Sequence, residues 1–330
     1  MSTFILGVDG GQTSTRLLVA TTDGQVLWRA QAPTASHSGE AGDLSGYERR
    51  LADILRQALA GSPWEGVRFA IVAMGMTGGE PGSPTIPACR RAAEDAVRAD
   101  RYVVVHDAVT GLLGASAGRP GIVVIAGGGS VAHGVAEDGR SATAGGWGYI
   151  VGDEGSSWTV GRAAINAAFR AIDGRGPATR LVERLYRHFG VAAPIELKTV
   201  VMRGRAGFAE VAALPSLVAD VAAEGDAVAR SILEQAGQDL AELAEAVARR
   251  LGLAAGPVHV YPTGGLFQEE RFLRPAFTRA VHNRLPQALV TPPMFDQVVG
   301  TVFLALGELG RTVDEALIER LRETWQRNQV

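Results

Sequence analysis

Residues 4–24, FILGVDGGQTSTRLLVATTDG, determine how the fold begins. The apolar run Phe4–Val8 has the length and composition of a buried strand, and an aspartate with two glycines follows it. Strand-like segments then lie on both sides of Asp23-Gly24, a dipeptide favoured in two-residue hairpin turns. We therefore expect three antiparallel strands at the start of the chain, with a glycine-rich loop after the first.

A similar order of elements starts again at Gly121. Residues 122–125 form another buried apolar run, the tight loop 127–130 follows it, and Asp138-Gly139 predicts a second hairpin. Apolar runs and helical patterns between the two copies predict a sheet with helices packed on it. The repetition indicates two lobes of the same α/β kind, which suits a chain of 330 residues, because single cores rarely grow beyond about 250–300 residues.

Helical periodicity dominates after the second copy. We place the N-terminal lobe at residues 1–117 and the C-terminal lobe at 118–312, with a compact hinge near Ala115–Pro120, because the sequence has no low-complexity linker. The helical patterns of the second half cover residues 153–171, 177–189, 224–251, 269–281, 295–309 and 313–325.

Composition excludes several classes of function. The formal net charge of −3 shows no basic excess, so we expect no nucleic-acid partner. The single cysteine, Cys89, can form no internal disulfide and no multi-cysteine metal site alone. The start of the chain lacks a signal-peptide pattern and no 18-residue apolar run follows, so we expect a cytoplasmic protein without a membrane partner.

Lysine usage narrows the kind of phosphate site. Lys198 is the only lysine, and its neighbours do not form the G-K-[ST] sequence of a Walker-A loop. The same count excludes a protein-kinase site with its strand lysine. Any phosphate binding must therefore rely on backbone amides, hydroxyl groups, arginine and metal.

Two glycine-rich loops are candidates for ATP phosphate binding. After the first strand, glycines let backbone amides point at an anion, and Asp9 would hold Mg²⁺ through water. The alternative for the loop after the first strand is an ordinary glycine-rich hairpin. The repetition of the strand and glycine loop later in the chain favours the phosphate loop. The residues concerned are Gly10, Gly11, Gln12 and Thr13 in the first loop, and Gly127, Gly128, Gly129 and Ser130 in the second. Gly264 and Gly265 follow a later strand, where they form either a turn or a backbone surface for adenine or ribose.

Asp107 is the candidate general base. It follows the apolar run Tyr102–Val105 and precedes a helical stretch, so it can cap that helix. A carboxylate at a strand end can also accept the proton of a substrate hydroxyl as the γ-phosphoryl group arrives in line. The two roles are compatible, and His106 is expected to be structural.

The stretch 145–156, GGWGYIVGDEGS, is the most specific in the chain. It places glycines, one aromatic plane and two carboxylates within a short loop, a combination that suits a sugar ring and its hydroxyls. The structural alternative makes Trp147 a core residue and Asp153 only a helix cap. Gly146, Trp147, Gly148 and Asp153 are the predicted sugar-binding residues.

In their order along the chain, these motifs resemble those of the actin-like ATPase superfamily, and within it the BadF/BadG/BcrA/BcrD branch that includes N-acetylglucosamine kinase. The resemblance covers nearly the whole chain, and GGWGYIVGDEGS is its discriminating element. It is carried by DGGQTST (9–15), MTGGE (76–80), HDA (106–108), GGGS (127–130), GGWGYIVGDEGS (145–156) and TGGLF (263–267).

The resemblance implies two ribonuclease-H-like lobes with mixed five-stranded sheets flanked by helices, which enclose ATP and sugar in the cleft between them. It implies that helix 313–328 returns to the N-terminal lobe, that Asp107 activates the sugar 6-hydroxyl, and that the protein is a homodimer. Thr77, Gly78 and Gly79 would complete the sugar pocket.

The chain departs from the family pattern at two predicted sugar contacts. Ser36 and Val131 stand where N-acetylglucosamine kinases place asparagines. N-acetylglucosamine, glucosamine and N-acetylmuramic acid therefore all remain candidate substrates, since a few hydrogen bonds discriminate such analogues.

Two other functions compete with the sugar kinase. Some members of this branch activate 2-hydroxyacyl-CoA dehydratases through a shared iron–sulfur cluster, which requires two cysteine ligands from each subunit, whereas this chain has one cysteine in total. The other alternative is a sugar sensor without turnover, and the presence of Asp9, Thr13 and Asp107 argues against it.

Overall fold

A computed structural model describes residues 3–35, 43–202 and 207–327 of the chain. The strands are β1 (Phe4–Gly10), β2 (Ser14–Thr21), β3 (Val26–Pro33), β4 (Arg68–Phe69), β5 (Ile71–Met76), β6 (Arg98–Ala99), β7 (Tyr102–His106), β8 (Gly121–Ala126), β9 (Ser130–Val135), β10 (Ser141–Gly145), β11 (Val258–Thr263) and β12 (Ala288–Val290).

The helices alternate with these strands in the first half and dominate the second. They are α1 (Leu44–Leu59), α2 (Thr85–Ala96), α3 (Asp107–Ser116), α4 (Ser157–Ile172), α5 (Leu181–Phe189), α6 (Pro194–Met202), α7 (Phe208–Ala212), α8 (Pro215–Ala223), α9 (Ala227–Leu251), α10 (Leu273–Arg284), α11 (Gln297–Glu308) and α12 (Glu315–Arg327), with a 3₁₀ turn at Gly265–Gln268.

The chain divides into two compact units, one formed by the described residues of 1–119 and 292–330 and one by the described residues of 120–291. The first unit contains a sheet of strand order β3-β2-β1-β5-β7. Strands β1, β2 and β3 are antiparallel neighbours, whereas β1, β5 and β7 run parallel. The carboxyl ends of β1, β5 and β7 therefore lie side by side at one edge of the sheet.

Both faces of the first sheet are covered, which explains why its strands are continuous apolar runs. Successive side chains of a strand alternate between faces. Leu6 and Val8 of β1 pack with helices α1 and α2, through residues that include Leu51 and Cys89. Ile5 packs on the opposite face with residues of α11 and α12.

The second unit repeats this arrangement. Its sheet has the order β10-β9-β8-β11-β12, with β8, β9 and β10 antiparallel and β8, β11 and β12 parallel. Helices α4, α5, α8, α9 and α10 contribute to one core with the strands. Among the described residues, two mixed five-stranded sheets flanked by helices are thus present, as the sequence analysis predicted.

Some elements differ from their expected bounds. Helix α4 begins at Ser157, four residues after the expected start, because Gly155 has φ +75° and Ser156 caps the helix by accepting from the Thr159 N–H. The segment from Pro292 onward groups with the first unit, whereas the sequence analysis expected only the last helix to return. Within the part of the chain that the structure describes, no helix combines the length and apolar character needed to cross a membrane.

Candidate active site

The predicted metal, sugar-pocket and general-base residues of the first unit meet at the carboxyl edge of its sheet. Asp9 of β1 lies opposite Gly75 of β5 in the parallel register, and Met76 lies opposite His106 of β7. Thr77 and Asp107 directly follow those two strands. Adjacent parallel strands thus bring together three residues that are up to 98 positions apart in sequence.

Thr77 holds the carboxylate of Asp107. The Thr77 Oγ1 hydroxyl donates a hydrogen bond of 2.7 Å to Asp107 Oδ2, and the Asp107 side chain is 15% exposed. One carboxylate oxygen is therefore fixed by a protein donor. The other oxygen, Oδ1, keeps acceptor capacity for a substrate hydroxyl.

His106, and not Asp107, caps helix α3. Its Nδ1 accepts a hydrogen bond of 3.0 Å from the Ala108 backbone N–H. A ring nitrogen that accepts carries no proton, so the 3.1 Å approach of His106 Nδ1 to Asp107 Oδ1 is no hydrogen bond. The proton then lies on Nε2, which is 3.5 Å from a carboxylate oxygen of Glu80. Capping by the histidine frees Asp107 from the capping role that the sequence analysis considered.

Asp9 is almost fully buried, with 2% of its side chain exposed. Its Oδ1 accepts a 2.8 Å hydrogen bond from Gln297 Nε2, and its Oδ2 lies 3.2 Å from Arg16 Nε. Burial raises the pKa of Asp9 from 3.8 to about 7, although the Arg16 charge lowers it. The negative charges of Asp107 and Asp296 add to the rise.

The first glycine-rich loop forms a tight turn, in which the Gly11 N–H bonds the Ser14 carbonyl at 3.0 Å. Thr34 Oγ1 donates to the Gly11 carbonyl at 2.7 Å, which ties the loop to the end of β3. Within the described residues, the buried Gln12 Oε1 has no hydrogen-bond partner. A buried oxygen without a donor is costly unless a ligand or water satisfies it.

The groups at this edge suit a hydrated magnesium ion. Mg²⁺ prefers oxygen ligands and usually keeps several waters beside one or two carboxylates and substrate phosphates. The two Asp9 oxygens each retain a further lone pair, and Gln12 Oε1 is a second acceptor for a metal-bound water. Across residues 3–35, 43–202 and 207–327, no group of three or more His, Cys, Asp or Glu side chains could hold a metal by itself.

The sequence Thr77-Gly78-Gly79 turns sharply after β5. Gly78 has φ +77°, a left-handed value that favours glycine. A Cβ on Gly79 would lie 2.8 Å from the Met76 carbonyl oxygen and 2.9 Å from that of Val105. Both glycines are therefore required by the backbone, independently of any sugar contact.

The second glycine-rich loop is held by Asp153. The Ser130 N–H donates to Asp153 Oδ1 at 3.3 Å, and Ser130 Oγ donates to the Glu154 carbonyl at 2.7 Å. Asp153 has φ +60° and is only 3% exposed, and burial raises its pKa. A Cβ on Gly129 would lie 2.7 Å from the Asp153 carboxylate. Asp153, which was predicted to bind the sugar, thus contacts the predicted phosphate loop instead.

Trp147 is exposed on the loop between β10 and α4. Its side chain is 77% exposed, and Ile150 and Val151 beside it are 80% and 75% exposed. The flanking Gly146 and Gly148 have φ of +77° and +88°, so the turn depends on glycine at both positions. The alternative in which Trp147 is a core residue is therefore wrong, because the indole is not buried in the core of the second unit.

The two departures from the family's asparagines are the predicted sugar contact Ser36 and the residue Val131. Ser36 lies outside the described residues. Val131 is 8% exposed and packs beneath Gly146, where a Cβ would come within 3.3 Å of a Val131 methyl group. An apolar side chain therefore occupies the position at which the family pattern has an amide.

Gly264 and Gly265 differ in their surroundings. Gly264 has φ +97°, and a Cβ there would overlap the Ala126 carbonyl oxygen, so it packs against the start of the second glycine-rich loop. No atom lies within 4 Å of a Cβ on Gly265. The neighbouring Thr263 Oγ1 is buried and, within the described part of the chain, lacks a hydrogen-bond partner.

A pocket of about 480 Å³ adjoins this open glycine. It lies within the second unit between the start of α4, the α7–α8 connection and the turn before α10. Its lining includes Ser157, Ala213, Ser216, Gly265, Gln268 and Arg271. Leu266 and the small side chains give the pocket apolar surface beside its polar groups, a combination found in small-molecule sites.

Sequence reasoning missed three residues around Asp9. Arg16, Asp296 and Gln297 contact Asp9 or each other, and two of them come from a helix start about 290 positions away. An aspartate such as Asp296 before a helical pattern indicates only the start of a helix. Nothing in one sequence indicates where that start lies in the fold.

A model of the BadF/BadG/BcrA/BcrD ATPase family matches residues 6–305. The chain is also 28% identical over 310 residues to the N-acetylmuramic acid/N-acetylglucosamine kinase of Clostridium acetobutylicum. That match covers 92% of this chain and 99% of the relative.

Solved structures show the same similarity. A candidate N-acetylglucosamine kinase from Chromobacterium violaceum is 30% identical, with a TM-score of 0.73 over 92% of this chain and 99% of that one. A ROK family glucokinase from Streptomyces griseus, solved with glucose and AMPPNP, has a TM-score of 0.56 at 15% identity, over 93% of this chain and 98% of that one. The second similarity concerns the fold alone.

Proposed function

Because the chain belongs to the BadF/BadG/BcrA/BcrD ATPase family, we propose that it is an ATP-dependent kinase that phosphorylates the 6-hydroxyl of an amino sugar. The relatives from Clostridium acetobutylicum and Chromobacterium violaceum support this proposal, since both are named for such substrates and match over nearly their full length. The observation that carries it is the arrangement of Asp9, Thr77 and Asp107 at neighbouring strand ends.

Asp107 is the proposed general base. Thr77 fixes Oδ2, and the unprotonated Nδ1 of His106 supplies no proton to Oδ1. Oδ1 therefore accepts the proton of the substrate hydroxyl as that oxygen attacks the γ-phosphorus, and the bond to the β-phosphate oxygen breaks. The products are ADP and a sugar phosphate.

The nucleotide phosphates are proposed to bind the two glycine-rich loops. These loops comprise Gly10, Gly11, Gln12 and Thr13 in the first unit, and Gly127, Gly128, Gly129 and Ser130 in the second. Support comes from the exposed Thr13 hydroxyl and from the space around Gly127, where a Cβ would meet no atom within 4 Å. Asp153 keeps the second loop in shape through the Ser130 amide.

The adenosine part is proposed to occupy the pocket beside Gly265. The open backbone at this glycine, which lines the pocket, supports this assignment. Gly264 contributes by allowing the close approach of β11 to the loop after β8.

Asp9 is proposed to hold Mg²⁺ through water, with Gln12 Oε1 as a further acceptor. When bound, the ion would neutralise charge on the β- and γ-phosphates. The residues present fit this role, since they offer oxygen acceptors and leave the remaining coordination to water and phosphate.

The sugar is proposed to contact Trp147, Gly146, Gly148 and the Thr77–Gly79 turn. The exposed indole offers a flat apolar surface for a sugar ring. Val131 gives no hydrogen bond to an N-acetyl group, so we keep glucosamine, N-acetylglucosamine and N-acetylmuramic acid as alternatives.

A coupled ADP-release assay tests the proposal. The purified protein is given Mg·ATP with glucosamine, N-acetylglucosamine, N-acetylmuramic acid, glucose or no sugar. We expect turnover that depends on one amino sugar, and phosphorus NMR of the product should show a phosphate on its 6-position. Hydrolysis of equal rate with and without sugar would instead favour an ATPase that drives another protein.

The Asp107→Asn variant tests the base. General-base removal typically costs about 10²- to 10⁴-fold in rate, so we expect a loss in that range with Mg·ATP binding retained. Asp100→Asn is the matched control, because Asp100 pairs with Arg68 at the surface of the same unit. Equal turnover by Asp107→Asn and the control would remove Asp107 from the mechanism.

A further inference from the structure

Asp9 belongs to a closed ring of polar contacts that joins β1, β2 and α11. Gln297 Nε2 donates to Asp9 Oδ1 at 2.8 Å, and Arg16 Nε lies 3.2 Å from Asp9 Oδ2. Arg16 Nη1 also donates to Asp296 Oδ1 at 2.6 Å. The same Asp296 oxygen accepts from the Gln297 backbone N–H at 2.8 Å, which closes the ring.

The start of α11 is a rigid support for this ring. A Cβ on Gly7 of β1 would overlap the Thr301 hydroxyl, so the helix packs directly on the strand that carries Asp9. A Cβ on Gly114 of α3 would lie 2.7 Å from the Asp296 carbonyl oxygen. Helix α11 therefore sets the position of β1 and of α3, the helix that begins at Asp107.

Both oxygens of Asp9 have a donor group beside them in this ring. Gln297 Nε2 donates to Oδ1, Arg16 Nε lies 3.2 Å from Oδ2, and only 2% of the Asp9 side chain is exposed. The ring therefore fixes the plane of the carboxylate, and with it the directions in which the remaining lone pairs of its oxygens point.

We propose that Arg16 and Gln297 are positioning residues that hold the Asp9 carboxylate in one orientation for the hydrated magnesium ion of the nucleotide. This inference rests on the proposed function, because it assigns the partner of Asp9. Arg16 is 39% exposed and uses Nε for Asp9 and Nη1 for Asp296, so two of its three nitrogens are engaged in the ring.

A purely structural role of Arg16 would give a different result in the magnesium titration. If Arg16 only joined β2 to the start of α11, its removal would lower stability and leave the magnesium dependence unchanged. Arg320 provides the matched control for this case, because it is 45% exposed and joins α12 to Asp23 without contacting Asp9.

The test is calorimetric titration of ADP at limiting and at saturating Mg²⁺, with thermal unfolding recorded for every variant. Groups that orient a metal ligand typically change metal affinity by about 10- to 100-fold. We expect Arg16→Met and Gln297→Glu to raise the Mg²⁺ concentration for half-maximal ADP binding in that range. Arg16→Lys should recover part of the loss, and Arg320→Met should match the wild type.

Sugar turnover separates this inference from the proposed function. We expect Arg16→Met to raise the Mg²⁺ requirement while KM for the sugar stays unchanged. Wild-type protein that binds Mg·ADP but phosphorylates no sugar would refute the proposed function and leave the inference standing. Arg16→Met and Gln297→Glu proteins with the wild-type Mg²⁺ requirement would overturn the inference alone, and wild-type protein that binds no Mg·ADP would overturn both.

Discussion

At the scale of single residues, the hydrogen bond from Thr77 to Asp107 connects a glycine-rich turn to the proposed base. A hydrogen bond to a charged group contributes about 1.5–3 kcal/mol, which corresponds to roughly 10- to 100-fold in an equilibrium or rate. Thr77→Val keeps the shape of the side chain and removes the donor. We expect kcat to fall by about that factor, as measured by ADP release at saturating sugar.

Thr77→Ser is the control for this substitution, since it retains the hydroxyl. Its kcat should stay near the wild-type value. Equal losses in the valine and serine variants would show that the methyl group matters and the hydrogen bond to Asp107 does not.

The raised pKa of Asp9 predicts a pH-dependent stability. The folded protein binds a proton at this site with a pKa of about 7, against 3.8 for the ordinary group. Between these values the folded state holds more protons than the unfolded state, so this carboxyl contributes less stability as pH rises toward 7.

Asp9→Asn removes that titration. From pH 5 to pH 8, the free energy of unfolding of the wild type should fall relative to that of the variant by about 2–3 kcal/mol, at about 1.36 kcal/mol per pKa unit. Urea unfolding of both proteins at the two pH values measures the difference. A difference that stays constant with pH would show that Asp9 titrates near its ordinary value.

Sequence patterns indicated candidate site residues where a polar residue directly follows an apolar run, because parallel strands bring such positions to one edge. Asp9 and Asp107 are of this kind, whereas Thr77 was indicated only by the family resemblance. Gln297 could not be found in this way, because its contact with Asp9 depends on how α11 crosses β1. That crossing is a property of packing between distant segments.

At the scale of elements, helices α3 and α11 pack through glycines. A Cβ on Gly300 would overlap the Thr110 carbonyl oxygen. Gly300→Ala must therefore separate the two helices, and we expect it to lower the free energy of unfolding by about 1–3 kcal/mol, the usual cost of overpacking.

Gly307→Ala in the same helix is the matched control. No atom lies within 4 Å of a Cβ at Gly307, and alanine favours a helix over glycine by about 1 kcal/mol. We expect this variant to be as stable as the wild type or more so. Chemical denaturation of both variants tests the pair, and similar effects would contradict close packing at Gly300.

Strands and helices were predicted correctly where an apolar run was continuous or a helical pattern extended over many residues. Strand β1 and helix α9 are examples, since one is buried on both faces and the other extends over 25 residues. Strand β12 has three residues, too few to show a pattern. The start of α4 was misplaced because the positive φ of Gly155 cannot be recognised from sequence periodicity.

At the scale of the whole molecule, the two units differ in how the chain forms them. The second unit is continuous from Pro120 to Thr291, and its core cluster lies entirely within that range. We expect the isolated fragment 120–291 to fold with a cooperative thermal transition, observed by circular dichroism. A broad, non-cooperative transition would contradict this expectation.

The same folding experiment on the fragment 1–119 should give the opposite result. It lacks α11 and α12, which cover one face of the first sheet with Phe303, Leu306 and Leu321. We expect it to remain unfolded or to aggregate unless residues 292–330 are supplied in trans. A stable, monomeric fragment 1–119 would show that one covered face is sufficient.

The divided first unit has a consequence for synthesis on the ribosome. Translation proceeds from the N-terminus, so β1 to β7 emerge long before Phe303 and Leu306, which complete their core. The nascent sheet must wait, with one apolar face uncovered, while the whole second unit is made. The first unit therefore completes its core after the second unit, and until then its uncovered face exposes apolar surface of the kind that favours aggregation.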